Sequence, residues 1–358
     1  MKVCIVLGTR PEIIKMSPVV RECERRGLDF FILHTGQHYS YSMDGAFLEQ
    51  LRLPRSRHNL EVGSGSHAEQ TGKMLVGIER VLESERPDVV LVEGDTNTVL
   101  AGALASAKLG IKVGHVEAGL RSYDRMMPEE INRVLTDHCS DLLFAPTKES
   151  GRTLLKEGIP KNRVFVTGNT VVDAVFQNLR IAQKEAEGLN RFKVDKKAYF
   201  LTTVHRQENV DSSERFADIL KGLRKVHNEY KLPVIYPIHP RARKQIEKFK
   251  LNAEGITLAE PLDYLTFLHL ESNAKLVLTD SGGVQEETCI LNVPCVTLRD
   301  NTERPETLQV GSNVLAGTSP DSIIEKTTAM LRRPTSWKNP FGDGKAGQRI
   351  IEIVARQA

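Results

Sequence analysis

Short apolar runs rich in β-branched residues alternate along this chain with longer segments of helical period, and no other feature constrains its fold as tightly. Strands are predicted at 3–7, 30–34, 89–92, 112–116, 142–145 and 164–166, with amphipathic helices at 11–26, 67–85 and 97–109 among them. A polar run at 185–197 interrupts the rhythm. It resumes with strands predicted at 199–203, 234–237, 256–258, 276–279 and 296–298. Repeated strand, helix, strand order builds parallel sheets through right-handed crossovers. The expectation is therefore an α/β protein of two Rossmann-like domains facing across a cleft. The first domain is expected over 1–169, joined by a returning C-terminal helix at 347–358, and the second over 170–346.

A chain of 358 residues, 40% of them hydrophobic, is long enough to bury two cores. The 49 basic and 46 acidic residues leave a net charge of +3, too small a field to trap nucleic acid or an anionic membrane. Five cysteines, none in a C-x-x-C pair, suggest neither a disulfide framework nor a zinc site. His34 and His38 stand four apart across a glycine-containing loop with no third ligand, so no metal is expected. No signal peptide and no apolar stretch long enough to span a bilayer is evident, and a cytoplasmic enzyme is expected.

Open parallel sheets bind ligands in the loops beyond the carboxyl ends of their strands. Gly8-Thr-Arg-Pro-Glu12 follows the first strand and opens a helix, and it reads as an anion cradle to which Arg10 and Lys15 add charge. Asp280-Ser281-Gly282-Gly283 repeats the logic in the second half, without the lysine of a P-loop or the G-x-G-x-x-G of a dinucleotide site. Glu287, on the helix that follows, suits two ribose hydroxyls. Asp95, Glu117 and Glu129 fall in first-half loops, where converging carboxylates suit proton transfer and stabilisation of positive charge at an anomeric carbon. His205 is a candidate proton carrier or phosphate contact, and Phe267 a candidate flank for a planar base.

Several of these loops together resemble the non-hydrolysing UDP-N-acetylglucosamine 2-epimerases. The matching segments are Gly8-Thr-Arg-Pro-Glu-Ile-Ile-Lys15, Gly94-Asp-Thr-Asn-Thr98, His115-Val-Glu-Ala-Gly-Leu-Arg121, Pro128-Glu-Glu-Ile-Asn-Arg133, Thr279-Asp-Ser-Gly-Gly-Val-Gln-Glu-Glu287 and Arg299-Asp-Asn-Thr-Glu-Arg-Pro305, covering nearly the whole chain in order. The resemblance implies the two-Rossmann GT-B fold, interconversion of UDP-N-acetylglucosamine and UDP-N-acetylmannosamine without a cofactor, and a homodimer. It implies catalytic roles for Asp95, Glu117, Glu129 and His205, and UDP binding by Arg10, Lys15, His239, Phe267, Ser281, Gly282, Gly283, Glu287 and Arg304. It also implies a second, allosteric substrate site at Gln37, His38, Gln70 and Arg206.

Three other functions share parts of this pattern. A GT-B glycosyltransferase would have the same fold and UDP site but no need of the carboxylate cluster. A hydrolysing epimerase would release free sugar. A non-catalytic nucleotide-sugar sensor would keep Arg10 and Glu287 without Asp95, Glu117 and Glu129 together.

Overall fold

The structure, a computed structural model, describes residues 1–36, 41–185 and 187–357. The chain divides into two compact units, Met1–Gln177 with Phe341–Ala358, and Asn178–Pro340. The first division falls inside the helix Thr170–Glu185. No helix among the described residues is long and apolar enough to cross a membrane.

The first unit is built on seven strands: β1 (Lys2–Leu7), β2 (Asp29–His34), β3 (His58–Asn59), β4 (Val89–Glu93), β5 (Lys112–Val116), β6 (Leu142–Ala145) and β7 (Val164–Val166). Their order across the sheet is β3-β2-β1-β4-β5-β6-β7, and every pair is parallel. Helices cover both faces of such a sheet, which is why its central strands are apolar without alternation. Val3 to Leu7 and Val89 to Val92 are wholly buried, and each such side chain contributes about 1.5–3 kcal/mol relative to exposure. The C-terminal helix Ala346–Gln357 belongs to this unit and packs on the helix Arg10–Arg25. Its first backbone N–H groups, at Ala346 and Gly347, donate to the buried Asp173 carboxylate at 3.1 and 3.0 Å.

The second unit carries six parallel strands: β8 (Phe200–Thr203), β9 (Val234–Pro237), β10 (Ile256–Ala259), β11 (Leu276–Thr279), β12 (Cys295–Thr297) and β13 (Asn313–Leu315), in the order β10-β9-β8-β11-β12-β13. Phe200, Phe216, Tyr236 and Leu278 lie in its largest core cluster. The edge strands β3 and β13 are absent from the sequence reading: His58-Asn59 is polar, and in β13 only Val314 and Leu315 are apolar.

Both sheets reverse their strand order once, between β1 and β4 in the first unit and between β8 and β11 in the second. At such a reversal the following loops lead to opposite faces and open a crevice. The chemically rich loops after β1, β4, β8 and β11 therefore sit where each sheet is built to receive a ligand.

Candidate active site

The β1 loop is held against the β4 loop by close packing. A Cβ at Gly8 would stand 2.0 Å from Thr98 Oγ1 and 2.4 Å from Thr35 Oγ1, so only glycine fits beside that hydroxyl pair. Glu12, buried in the first turn of the following helix, accepts from the Gly8 N–H at 2.6 Å and the Thr96 hydroxyl at 2.7 Å. Burial pushes its carboxyl up to about 7 although those hydrogen bonds favour the anion.

One turn further on, the Lys15 ammonium lies between two carboxyls, 2.6 Å from Glu117 Oε2 and 3.1 Å from Glu93 Oε1. Glu117 follows β5 with φ of 72°, a left-handed conformation that costs a residue with a Cβ about 1–3 kcal/mol and persists where surroundings enforce it. Here they do. Its N–H donates to Phe144 O, its Oε1 accepts from Asn169 Nδ2 at 3.0 Å, and its Oε2 takes Lys15. Glu93 ends β4, is 1% exposed, and is pushed well above the usual carboxylate range by burial and then by the neighbouring Glu117, against the pull of Lys15.

Asp95 is half-buried and ion-paired to Arg133 at 2.6 Å, while Asn132 donates to its carbonyl. Glu130 accepts from the Ser122 and Tyr123 N–H groups and from Arg133, which ties the segment after Arg121 to the helix Pro128–Cys139. Glu129 is exposed on that helix and makes no hydrogen bond among the described residues. Behind the β5 loop, the fully buried Asp137 accepts from Gly119 N–H and pairs with Arg121 at 2.7 Å and His115 at 2.6 Å. The other His115 nitrogen meets Gly94 O at 2.9 Å, so one buried network fixes the loops that carry Asp95 and Glu117.

In the second unit the buried Asp280 takes the part that Glu12 plays in the first. It accepts from the N–H groups of His205 and Arg206 and from Asn209 Nδ2, at 2.9 to 3.1 Å, and lies 3.2 Å from His205 Nδ1. Burial raises its carboxyl, but His205, the Arg206 N–H and Asn209 outweigh it and hold the group below its usual range. Ser281 then opens the helix Gly282–Ile290 without capping it through its own hydroxyl. No protein atom comes closer than 3.9 Å to where a Cβ would stand at Gly282 or Gly283.

His205, His239 and Phe267 line one pocket of about 220 Å³ with Thr203, Pro261 and Leu262, below the range of about 300–1,000 Å³ for whole-ligand sites and suited to a fragment. Phe267 packs its other side on the unit's core. His239 is held low by burial and by the neighbouring His205 and Arg241. Glu287 accepts from the Tyr264 hydroxyl at 3.3 Å; burial pushes it up to about 7, and burial together with the neighbouring Glu287 pushes the fully buried Glu271 well above the usual carboxylate range. Arg304 Nε lies 2.9 Å from Glu286 on the same helix as Glu287.

The structure thus brings together Lys15 with Glu117, Asp95 with Arg133, and His205 with His239 and Phe267. Arg10 lies over the Phe47 ring, 5.3 Å from its centroid. Gln70 donates to Gly63 O and accepts from Asn97, and Arg206 lies 3.7 Å from Glu303. Gln37 and His38 lie outside the described residues. His34 is a core residue whose Nδ1 accepts from Gly36 N–H, and burial lowers it to about 4. The sequence reading assigned no part to Glu12, Glu93, Asn169, Arg133 or Glu271. A charged residue closing the apolar run Val89-Val90-Leu91-Val92 was the visible signal for Glu93.

Comparison with known proteins gives this geometry its relatives. The UDP-N-acetylglucosamine 2-epimerase family pattern matches residues 21–355. A UDP-N-acetylglucosamine 2-epimerase of Methanocaldococcus jannaschii is 56% identical over 362 aligned positions, with 99% of each chain covered. A UDP-2,3-diacetamido-2,3-dideoxy-D-glucuronate 2-epimerase of Pseudomonas aeruginosa is 40% identical, covering 99% of this chain and all of the other. The crystal structure of the M. jannaschii UDP-GlcNAc 2-epimerase in complex with UDP-GlcNAc and UDP superposes with a TM-score of 0.88 at 55% identity, over 99% of this chain and all of that one. The fold is accordingly a two-domain, GT-B-like pair of parallel sheets. Matched over nearly its whole length by the family pattern and aligned end to end with such relatives, the chain belongs to the UDP-N-acetylglucosamine 2-epimerase family.

Proposed function

We propose that the chain is a non-hydrolysing UDP-N-acetylglucosamine 2-epimerase that interconverts UDP-GlcNAc and UDP-ManNAc by eliminating UDP to 2-acetamidoglucal and adding it back. The observation that carries this reading is Glu117, a carboxylate held at positive φ between an ammonium and an amide donor.

The C2 proton of the sugar lies beside an acetamido group rather than a ketone, so it is only weakly acidic. Departure of UDP leaves an oxocarbenium-like centre at C1, and the C2 proton then becomes acidic enough for a carboxylate to remove. Returning the proton to the opposite face of the glucal and UDP to C1 inverts C2. Two acid/base groups on opposite faces are required, and Glu117 and Asp95 supply carboxylates, with Glu129 and His205 as further participants. No redox cofactor enters this sequence.

The first turn of the helix Gly282–Ile290 suits the diphosphate: its N–H groups are uncapped by Ser281, its glycines allow close approach, and its dipole favours anions. Glu287 would accept the ribose hydroxyls and Phe267 would flank the uracil, with His239, Arg10, Lys15 and Arg304 as further partners of the nucleotide. The proposed allosteric substrate site includes Gln70 and Arg206 with Gln37 and His38. The protein is proposed to act in the cytoplasm as a homodimer. The apolar surface of Tyr123, Met126, Ile131 and Leu135, from 44 to 89% exposed, is a candidate face, and light scattering would report the mass.

Product analysis after incubation with UDP-GlcNAc tests the reading. Formation of UDP-ManNAc without free sugar supports it. Free N-acetylmannosamine with UDP would make the protein a hydrolysing enzyme, and no conversion at all would favour a glycosyltransferase or a sensor.

A further inference from the structure

Glu93 has no part in the scheme above, yet it is the carboxyl most deeply built into it. It ends β4, is 1% exposed, and lies 3.1 Å from an ammonium that is itself 2.6 Å from Glu117. Both carboxyls lie within 3.1 Å of the same Lys15 nitrogen, which places them side by side. Among the described residues, the charged groups that face Glu93 are Glu12 and Lys15 on the helix Arg10–Arg25 and Glu117 on the β5 loop. Three carboxyls and one ammonium in a buried site cannot all be ionised at reasonable cost, so protons must reside there.

We propose that Glu93 is a positioning residue for Glu117: the two carboxyls share one proton, and Lys15 between them balances the remaining negative charge whichever carboxyl holds it. The inference rests on the reading of Glu117 as a group that exchanges a proton with the sugar. With the proton on Glu93, Glu117 is an anion ready to accept a proton. With the proton on Glu117, Glu93 is the anion and Glu117 is ready to donate. The two arrangements carry the same net charge, so a proton moving between them requires no ion to enter or leave the buried site. An epimerase that runs in both directions needs each acid/base group in both states, and this arrangement provides them at one position.

Glu93→Gln tests the proposal because it keeps the shape of the side chain and removes its ionisation. Glutamine stays neutral at every pH, so no second carboxylate can form beside Glu117 and Glu117 no longer holds the shared proton against a neighbouring negative charge. In the direction in which Glu117 donates, the alkaline limb of the kcat profile, where the pair loses its shared proton, should then move to lower pH by about one unit or more, with KM within about threefold. A purely structural role would scale kcat uniformly without moving a limb. A limb that stays in place overturns the proposal.

Glu117→Gln measured beside it separates the two readings. If that variant turns over normally, the functional reading of Glu117 fails. If it is inactive and the Glu93→Gln profile is unshifted, only the role of Glu93 fails. Should the Glu93 variant not fold, the unsubstituted enzyme with carboxyl-labelled glutamate answers by NMR titration. Two buried carboxyl signals moving together in two steps support the pair, and independent single steps overturn it.

Discussion

Glu12 and Asp280 hold equivalent places in the two units. Each is a buried carboxyl at the strand-order reversal of a parallel sheet, and each joins the loops on either side of it. Yet burial wins at Glu12, which is pushed up to about 7, and loses at Asp280, which is held below its usual range. The donors decide it. The groups around Glu12, from Gly8, Thr9 and Thr96, are all neutral, whereas Asp280 accepts from two N–H groups and an amide and also lies beside the ionisable His205 ring. The first unit gathers carboxyls around one ammonium, which leaves protons to be shared. The second surrounds its carboxylate with donors and leaves a glycine-lined helix start. One arrangement suits moving protons, and the other suits holding a charged ligand.

The largest effect that would sharpen this contrast is in folding stability. Asp280→Ala strands donors from His205, Arg206 and Asn209 in the interior and should cost about 3–5 kcal/mol in denaturant unfolding, while Glu12→Gln should cost under about 1 kcal/mol at neutral pH. Equal costs would erase the distinction between the two reversals.

Next is the dependence of stability on pH, which should have opposite signs at the two sites. Glu12 binds its proton more tightly folded than unfolded, so its contribution is present below pH 4.5 and is lost as pH rises to about 7, a change of about 3 kcal/mol. Asp280 is depressed, so its contribution is present above its unfolded value of 3.8 and is lost as pH falls through its folded value. Glu93, Glu271 and Glu287 are raised as well, so Tm in Glu12→Gln should fall less steeply between pH 4.5 and 7 than in the unsubstituted protein, and an unchanged slope would place its origin in those other groups.

The smallest effect concerns the glycine turn. With no protein atom within 3.9 Å, Gly282→Ala should leave Tm within about 2 °C and raise KM on the order of tenfold, because the added methyl fills space proposed for the diphosphate. A change in Tm without a change in KM would assign that glycine to folding instead.

The strands and both reversal loops were legible because apolar runs of four to six residues, such as Val3 to Leu7, punctuated by Gly8 or by Asp280-Ser281-Gly282, carry their period and their breakers in sequence. Glu117 was legible as a loop carboxylate. Its partners were not. Lys15 reads as charge for an anionic ligand, not as the partner of two carboxyls, until its helix is docked on β1 and β4, and Glu93 reads as the polar end of a strand. Glu271 sits mid-helix among Leu268 and Leu270, where nothing local announces that it will meet Glu287. Proton sharing arises from contacts between residues far apart in the chain, and a local pattern cannot encode it.

The central claim is that UDP leaves and returns while a carboxyl of the first unit moves the C2 proton. Its most direct test is the conversion of UDP-GlcNAc labelled with ¹⁸O in the bridge between C1 and the diphosphate, run in deuterated water. The account predicts deuterium at C2 of the product together with migration of the label out of the bridge. Epimerisation with deuterium at C2 and the label still in the bridge would contradict it, because the proton would then have been removed with UDP attached.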